Sequence, residues 1–294
     1  MATQSPVEIR PMDEDDVAEA EAVSWAAMRE LWPAEFRPDP ADEPIRSRRA
    51  RIRVAHLLET DPGGAFVATG SGGAIVGAAL AIARDGMWGL SLLAVDPGHQ
   101  AAGIGVRLLA AALDHAPHST SRLILSSVNP RALRAYHRAG LRARPCLEAS
   151  GPLNRSRIPT GLRSVAGDPG VDADVITRAS RHVRGASHLP DIEAAMEAGC
   201  ELLVCGDSGF ALARDGAAYL VAALDEASAI DLAWSCLALG GPGEPAHIGF
   251  ISAGNDWAIG VALDAGLSLA PDGPVFASGP LGTMTPYLPS GAYL

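Results

Sequence analysis

The stretch Leu93-Ala-Val-Asp-Pro-Gly-His-Gln100-Ala-Ala-Gly103-Ile-Gly105-Val106 decides the fold of this 294-residue chain. An apolar run ends at Val95, a polar loop follows, and two glycines open a segment with helical periodicity that extends to His115. The first N–H groups of such a helix point into one concavity at the positive end of the helix dipole, which suits a pyrophosphate. Glycine at positions 103 and 105 would let the backbone approach phosphates without a Cβ in the way.

The segments around this stretch predict a mixed α/β layer. Before it, three strand-like runs are separated by Gly70–Gly73 and by Asp85-Gly86, which is typical of an antiparallel meander. After it, helical and strand patterns alternate. The predicted strands are Val7–Met12, Ala65–Thr69, Ala74–Ala83, Met87–Val95, Arg122–Val128 and Leu141–Ala149, and the predicted helices are Asp13–Trp32, Asp42–Glu59, Gly103–His115 and Asn129–Ala139.

A second motif follows downstream, Asn129-Pro-Arg-Ala132-Leu-Arg-Ala-Tyr136-His-Arg-Ala-Gly140-Leu141. Asn129, Ala132 and Tyr136 are spaced by three and four residues, so they share one face of a helix. Together the two motifs resemble those of the Gcn5-related N-acetyltransferases (GNAT), over about 88–141. This sequence has Gln100 where that family more commonly has Arg, and Leu141 where Phe is usual.

The resemblance implies a fold, a cofactor and a set of roles. The end of the strand at Val95 would splay and pair with the pantetheine arm of acetyl-CoA, and the Val95 N–H could polarise the thioester carbonyl. The loop from Gln100 to Val106 would hold the pyrophosphate, Asn129 would bond the pantetheine, and Tyr136 would be the catalytic acid that protonates the departing thiolate. The implied acetyl-CoA contacts are Leu93, Ala94, Val95, Gln100, Ala101, Ala102, Gly103, Ile104, Gly105, Val106, Asn129, Ala132 and Tyr136.

Without the motif, Tyr136 would be interpreted as a core aromatic on a half-buried helix. The general base is not identified by the sequence, since the run from Trp88 to Val95 contains neither a carboxylate nor a histidine. A water chain, Glu35 and a free carboxylate at Leu294 are the alternatives.

The second half resembles the same fold without its machinery. Asn255-Asp-Trp-Ala258 leads to Gly266-Leu267 with the spacing that links Asn129 to Gly140-Leu141, although Asn as N-cap and Gly as C-cap also frame unrelated helices. The loop at Asp225 has no glycine and places acids where a pyrophosphate would sit, and Ala262 stands where Tyr136 does. The sequence therefore predicts an α/β (α+β) protein of two GNAT-like domains, each a mixed, mostly antiparallel sheet flanked by helices. Residues 1–150 would be catalytic, 151–169 a linker, and 170–294 a degenerate domain with an extended tail.

Composition limits the partners. The formal net charge of −11 argues against nucleic acid and anionic membranes, and no apolar run is long enough for a membrane span. The first twelve residues lack the pattern of a signal peptide, so we expect a cytoplasmic protein. The cysteines, expected to be plain buried thiols, and His182 with His188 offer no metal site.

These observations favour an acetyl-CoA-dependent N-acetyltransferase that transfers the acetyl group directly to an amine. The acceptor would be a small molecule or a peptide, and the sequence leaves its identity and any homo-oligomer open. The alternative is a non-enzymatic module that either binds acyl-CoA or has a regulatory role. An arginine-rich run at 46–53 indicates either a solvated or interdomain face of the second helix or a site for an anionic substrate or partner.

Overall fold

The computed structural model describes residues 7–31, 39–100 and 102–294. These residues form two compact units, Met1–Ala83 with Trp88–Ser119, and Arg84–Met87 with Thr120–Leu294. The units divide the chain at other positions than the boundaries at 150 and 170 that the sequence suggests, and that division stays a prediction. In the described ranges, no helix is long and apolar enough to cross a membrane.

The first unit is a layer of strands in chain order with helices packed on it. Its strands are β1 (Glu8–Pro11), β2 (Ala65–Thr69), β3 (Ile75–Arg84) and β4 (Met87–Val95), and its helices are α1 (Val17–Arg29), α2 (Glu43–Thr60) and α3 (Ile104–Asp114). The sheet order is β1-β2-β3-β4, and the β1–β2 and β2–β3 pairs are antiparallel. The consecutive order confirms the meander that the glycine-rich turns predict.

Helix α3 is held on the sheet by buried side chains. Trp88, at the start of β4, is fully buried, and its indole Nε1 donates to the Ala112 carbonyl at 2.8 Å. Leu108 on the same helix is also fully buried. In the first turn, the Arg107 guanidinium donates to the Val7 carbonyl at 2.9 Å. These contacts hold α3 within the first unit.

The arginine-rich run lies on α2, and Arg46 serves helix packing. Its guanidinium donates to the buried Glu21 carboxylate on α1 at 2.9 Å and lies 3.8 Å from the centre of the Trp25 ring. It also pairs with Glu43 one turn earlier. Arg46 thus packs between α1 and α2 within the first unit, which is neither the solvated or interdomain face nor the anion site that the sequence suggests.

The second unit contains the remaining elements, in a sheet that does not follow chain order. Its strands are β5 (Ser121–Leu125), β6 (Arg142–Pro152), β7 (Val165–Ala166), β8 (Glu201–Val204), β9 (Gly209–Arg214), β10 (Ala217–Ala223), β11 (Pro245–Ser252), β12 (Ser268–Ser278) and β13 (Tyr287–Leu288), and its helices are α4 (Pro130–Arg138), α5 (Ala173–Arg184), α6 (Leu189–Glu197), α7 (Glu226–Ala238) and α8 (Asp256–Asp264). The order is β5-β12-β6-β11-β10-β9-β8-β7, with β13 paired to β10.

This order contains a strand exchange between the two halves of the sequence. The strand that follows α4, β6, pairs antiparallel with β11 of the second half, and the strand that follows α8, β12, pairs antiparallel with β5 of the first half. The two exchanged strands also pair with each other, antiparallel, from Ser268 opposite Ser150 to Ala277 opposite Arg142. The predicted linker thus begins within β6, which runs to Pro152.

Strand β12 lies where the sequence predicts an extended tail. Pro271 and Pro274 argue against a central strand, because proline has no N–H to donate to the ladder. The register shifts between Asp272 and Val275, and this bulge accommodates the Pro-Asp-Gly-Pro segment. The Pro274 carbonyl still accepts from the Ser126 N–H at 3.1 Å.

Helix α5 is a further element that the sequence analysis does not assign. Val175, Ile176, Ala179 and Val183 recur at helical spacing and are buried in the structure. The periodic signal is present, but it sits directly after the Pro- and Gly-rich segment.

The four cysteines are buried free thiols, as predicted.

Gly273 provides a test of the exchange. A Cβ added there would lie 1.8 Å from the Ser126 carbonyl oxygen, a backbone atom of the β5 end. We expect Gly273→Ala to force β12 away from β5 and to lower the free energy of unfolding by about 1–3 kcal/mol, as overpacked sites do. Thermal and urea unfolding of the variant measure this loss.

Gly260→Ala is the matched control. A Cβ at Gly260, on the exposed face of α8, would meet nothing within 4 Å. Because alanine favours helix over glycine, this variant should be about 0.5–1 kcal/mol more stable. Equal stability of the two variants would contradict the close approach of β12 to β5.

Candidate active site

The loop between β4 and α3 is built by its own polar side chains. The Asp96 carboxylate accepts from the Gly98 N–H at 2.9 Å and lies 3.0 Å from the His99 ring nitrogen. The Gln100 amide donates back to the Val95 carbonyl at 3.2 Å, which folds the loop against the end of β4. Ala101 lies outside the described residues.

Helix α3 begins without a side-chain cap. Gly103 is the N-cap, with a φ of +76° and no side-chain hydrogen bond to the first turn. The first N–H groups of a helix have no partner within it, so they remain available to an anion. Among the described residues, a Cβ at Gly103 would meet no atom within 4 Å, and one at Gly105 would meet only the Val95 side chain at 3.6 Å. The helix start thus opens onto free space.

The other predicted residues of this stretch differ in exposure. Leu93 and Val95 are partly buried and Ala94 is buried, at the end of β4. Ile104 is 2% exposed, so its side chain belongs to the core and only its backbone can contact a ligand. Ala102 and Val106 are exposed. The described residues of this stretch, 93–100 and 102–106, therefore all lie in the first unit.

Helix α4, in the second unit, carries the second predicted group. Asn129 is its N-cap, and the side-chain oxygen accepts from the Arg131 N–H at 2.9 Å. Within the described part of the chain, the Asn129 side-chain nitrogen has no hydrogen-bond acceptor. Ala132 is partly buried one turn further on the same face. Asn129 therefore has donors to offer a ligand.

Tyr136 is a buried phenol. Its side chain is 6% exposed, and its ring packs edge-on against Phe276 of β12 with centroids 5.5 Å apart. Burial raises the pKa of Tyr136 above its usual value near 10, so the hydroxyl is protonated at neutral pH. Among the described residues, its hydroxyl makes no hydrogen bond. The strand exchange therefore packs one side of the predicted acid, and its proton is not committed to a described protein acceptor.

The second half repeats these elements, but its helices begin with different residues. Helix α7 is capped by Asp225, whose carboxylate accepts from the Ser228 N–H at 2.8 Å. Burial raises the pKa of Asp225, but hydrogen bonds from Ser228 and Ser208 and the Arg163 charge together outweigh burial, so the net pKa is lowered and the group is charged at neutral pH. A charged carboxylate thus occupies the start of α7, whereas the corresponding start of α3 is open at Gly103.

Asn255, the counterpart of Asn129 in the second half, already has protein hydrogen-bond partners. Asn255 is fully buried, and its side-chain nitrogen donates to the Ser252 Oγ at 3.2 Å and to the Met284 carbonyl at 3.1 Å. Its side-chain oxygen accepts from the Trp257 indole and from the Tyr287 N–H. The position that corresponds to Tyr136 is Ala262, which is fully buried. Asn255 thus has the frame of Asn129 but different partners.

The candidates for a general base are not supported equally. Glu35 lies outside the described residues. The Leu294 oxygen is buried and accepts from the buried Arg184 guanidinium and from the Tyr287 hydroxyl at 2.7 Å. An oxygen held by a guanidinium is a weak proton acceptor, so Leu294 is poorly suited as a base. No group of three or more His, Cys, Asp or Glu among the described residues could hold a metal ion.

The sequence matches a family model over the two motifs. Residues 25–141 match the acetyltransferase (GNAT) family. A search of curated proteins finds no match to this chain.

Solved structures resemble nearly the whole chain. A candidate acetyltransferase from Pyrococcus horikoshii is 17% identical, with a TM-score of 0.77 over 98% of this chain and 95% of that one. A GCN5-related N-acetyltransferase from Sphaerobacter thermophilus is 14% identical, with a TM-score of 0.58 over 94% and 96%. A tandem GNAT protein from the clavulanic acid biosynthesis pathway is 16% identical, with a TM-score of 0.57 over 93% and 98%. These likenesses show that the GNAT fold extends beyond residues 25–141, the part of the chain that matches the acetyltransferase (GNAT) family.

Proposed function

We propose that this protein is an acetyl-CoA-dependent N-acetyltransferase that transfers the acetyl group directly to an amine. The observation that carries the proposal is the start of α3, where a helix with no side-chain cap opens at a glycine onto free space. Four features favour an anion there: first N–H groups that have no partner within the helix, the helix dipole, a glycine without a Cβ, and no acidic side chain in the first turn. This is the chemistry that a pyrophosphate requires.

The reaction would form one bond and break one. The amine nitrogen attacks the thioester carbonyl, the carbon–sulfur bond breaks, and the sulfur takes the proton that Tyr136 donates. The buried phenol supports this role, because burial keeps it protonated until negative charge develops on the sulfur. The same burial disfavours the tyrosinate, so the hydroxyl must regain a proton in each turnover. The proton that the amine loses goes to a base that is still to be identified.

We further propose that only the first half is catalytic, with residues 170–294 as a degenerate domain. Asp225 at the start of α7 supports this, because a charged carboxylate at the N-cap repels a pyrophosphate and already uses the Ser228 N–H. Ala262 has no proton to give at the position of Tyr136. The non-enzymatic alternative is separated by turnover, since a binding module would release no free thiol from acetyl-CoA with any amine.

Gly103→Ala tests the phosphate site. The new Cβ would enter the space in front of the α3 start, so we expect the affinity for acetyl-CoA to fall at least ~10-fold, or about 1.4 kcal/mol. Isothermal titration calorimetry on the folded variant measures this change.

Gly72→Ala is the control for backbone strain. Gly72 has a φ of +79° and open space around its Cβ position, but it lies in the turn between β2 and β3. Both variants force alanine into a left-handed conformation at similar cost. Affinity at the wild-type level in the folded Gly103→Ala variant, or an equal loss in Gly72→Ala, would remove the site from the α3 start.

Tyr136→Phe tests the acid. The variant keeps the ring and its packing on Phe276 but removes the proton, so we expect kcat to fall roughly 10²-fold or more. Binding of acetyl-CoA should change little, because the hydroxyl contacts the sulfur mainly as charge develops. Free-thiol release with a screened amine measures kcat.

Tyr219→Phe is the matched control, since Tyr219 is a tyrosine of the second half that packs on Arg214. It should turn over at the wild-type rate. If Tyr136→Phe does so as well, where chemistry limits the rate, Tyr136 is a packing residue and not the acid.

A further inference from the structure

The second half contains a wedge between two parallel strands. Strands β10 and β11 are in register only at Ala217 opposite His247 and at Ala218 opposite Ile248. Beyond this point β10 no longer pairs with β11, and its backbone groups need other partners. In the first half, the resemblance assigns the corresponding strand end, at Leu93–Val95, to the pantetheine arm.

The chain's own C-terminal segment fills this wedge. Strand β13 pairs antiparallel with β10, with Leu288 opposite Val221 and Tyr287 opposite Ala222. The Ala223 N–H donates to the Pro286 carbonyl at 3.3 Å. Tyr287 and Leu288 are fully buried. Where β10 diverges from β11, its backbone hydrogen-bonding groups are therefore paired with residues 286–288 of the same chain.

Asn255 grips the same segment from the helix side. Its side-chain nitrogen donates to the Met284 carbonyl at 3.1 Å, and its side-chain oxygen accepts from the Tyr287 N–H at 2.9 Å. An asparagine amide has both a donor and an acceptor, so it can pair with an amide as one unit. A peptide and a pantetheine arm both contain amide groups. An asparagine side chain can therefore hydrogen-bond either of them.

Two further contacts anchor the ends of the segment. The Met284 N–H donates to the Val183 carbonyl at the end of α5, at 2.7 Å. The Tyr287 hydroxyl donates to the Leu294 oxygen at 2.7 Å and lies 3.1 Å from the His188 ring nitrogen. The segment is thus held by backbone, side-chain and buried polar contacts together.

We infer that residues Thr283–Leu288 act as an internal ligand of the second half, in the groove where a catalytic GNAT domain would take its acyl carrier. This inference rests on the proposed function for the comparison with the first half. The groove is closed at its strand edge by β13, at Asn255 by Met284 and Tyr287, and at the start of α7 by Asp225. The second half therefore binds a peptide of this chain in place of acyl-CoA, and the protein takes up one acetyl-CoA per chain.

Hydrogen exchange of the full chain with and without saturating acetyl-CoA tests this. Peptides that cover 217–223 and 284–288 should exchange slowly in the free protein and should not change on addition of acetyl-CoA. Peptides that cover 93–106 should slow down. Fast exchange of 284–288 in the free protein, or a change there on addition of acetyl-CoA, would overturn the inference. No change at 93–106 would instead count against the proposed function alone.

A pair of variants tests the grip itself. Asn255→Ala should speed the exchange of Met284, Tyr287 and Leu288 at least ~10-fold, because it removes two buried hydrogen bonds to the segment. Thr285→Val removes only the exposed bond from the Thr285 hydroxyl to the Gly254 carbonyl and should change exchange less than ~3-fold. If Asn255→Ala does not fold, Tyr287→Phe replaces it, since that variant removes the hydroxyl contacts to Leu294 and His188. Unchanged exchange in a folded Asn255→Ala or Tyr287→Phe variant contradicts the inference.

Discussion

The antiparallel pairing of β6 with β12 is the contact on which the rest of the second unit depends. Each of these strands follows a helix of the repeated frame, and each pairs on its other side with a strand of the opposite half of the sequence. Phe276 of β12 then packs on Tyr136, so the surroundings of the proposed acid come from both halves. A boundary drawn at 150 passes through β6, which explains why the compact units and the sequence repeats divide the chain differently.

The chain contains two versions of one frame, and the difference between them is a difference in hydrogen bonding. The start of α3 is left open by Gly103, whereas the start of α7 is filled by the Asp225 carboxylate. The amide nitrogen of Asn129 has no acceptor in the described part of the chain, whereas that of Asn255 donates to Ser252 and Met284. Because a buried donor without a partner costs about 1–3 kcal/mol, a half that has lost its ligand must satisfy these groups internally. The second half does this with its own C-terminal segment.

Buried polar contacts, some local and some long-range, surround the end of that segment. Arg84 and Asp191 form a buried ion pair at 2.7 Å, and the fully buried Arg184 guanidinium donates to the carbonyls of Ala186 and Ser187 as well as to the Leu294 oxygen. Burial and the nearby Arg184 charge lower the pKa of His188, so this imidazole is neutral beside Tyr287. Breaking one partner of such a network leaves a buried group unpaired, which favours one arrangement of the segment over alternatives.

The sequence by itself predicted the resemblance to the GNAT family, the elements around the two motifs and a set of candidate site residues. Those features are local. A strand, a helix that begins at a glycine and a helix capped by an asparagine can each be predicted from about fifteen residues, through periodicity and capping. Tertiary structure alone decided the strand exchange and the occupant of the second groove. Pro271 and Pro274 argue locally against a central strand, and only the bulge at Asp272–Val275 lets β12 lie between β5 and β6. The bond between Asn255 and Tyr287 joins residues 32 positions apart, and that between Tyr287 and His188 joins residues 99 apart. No local pattern encodes such pairs, because their free energy is gained only when the whole sheet has formed.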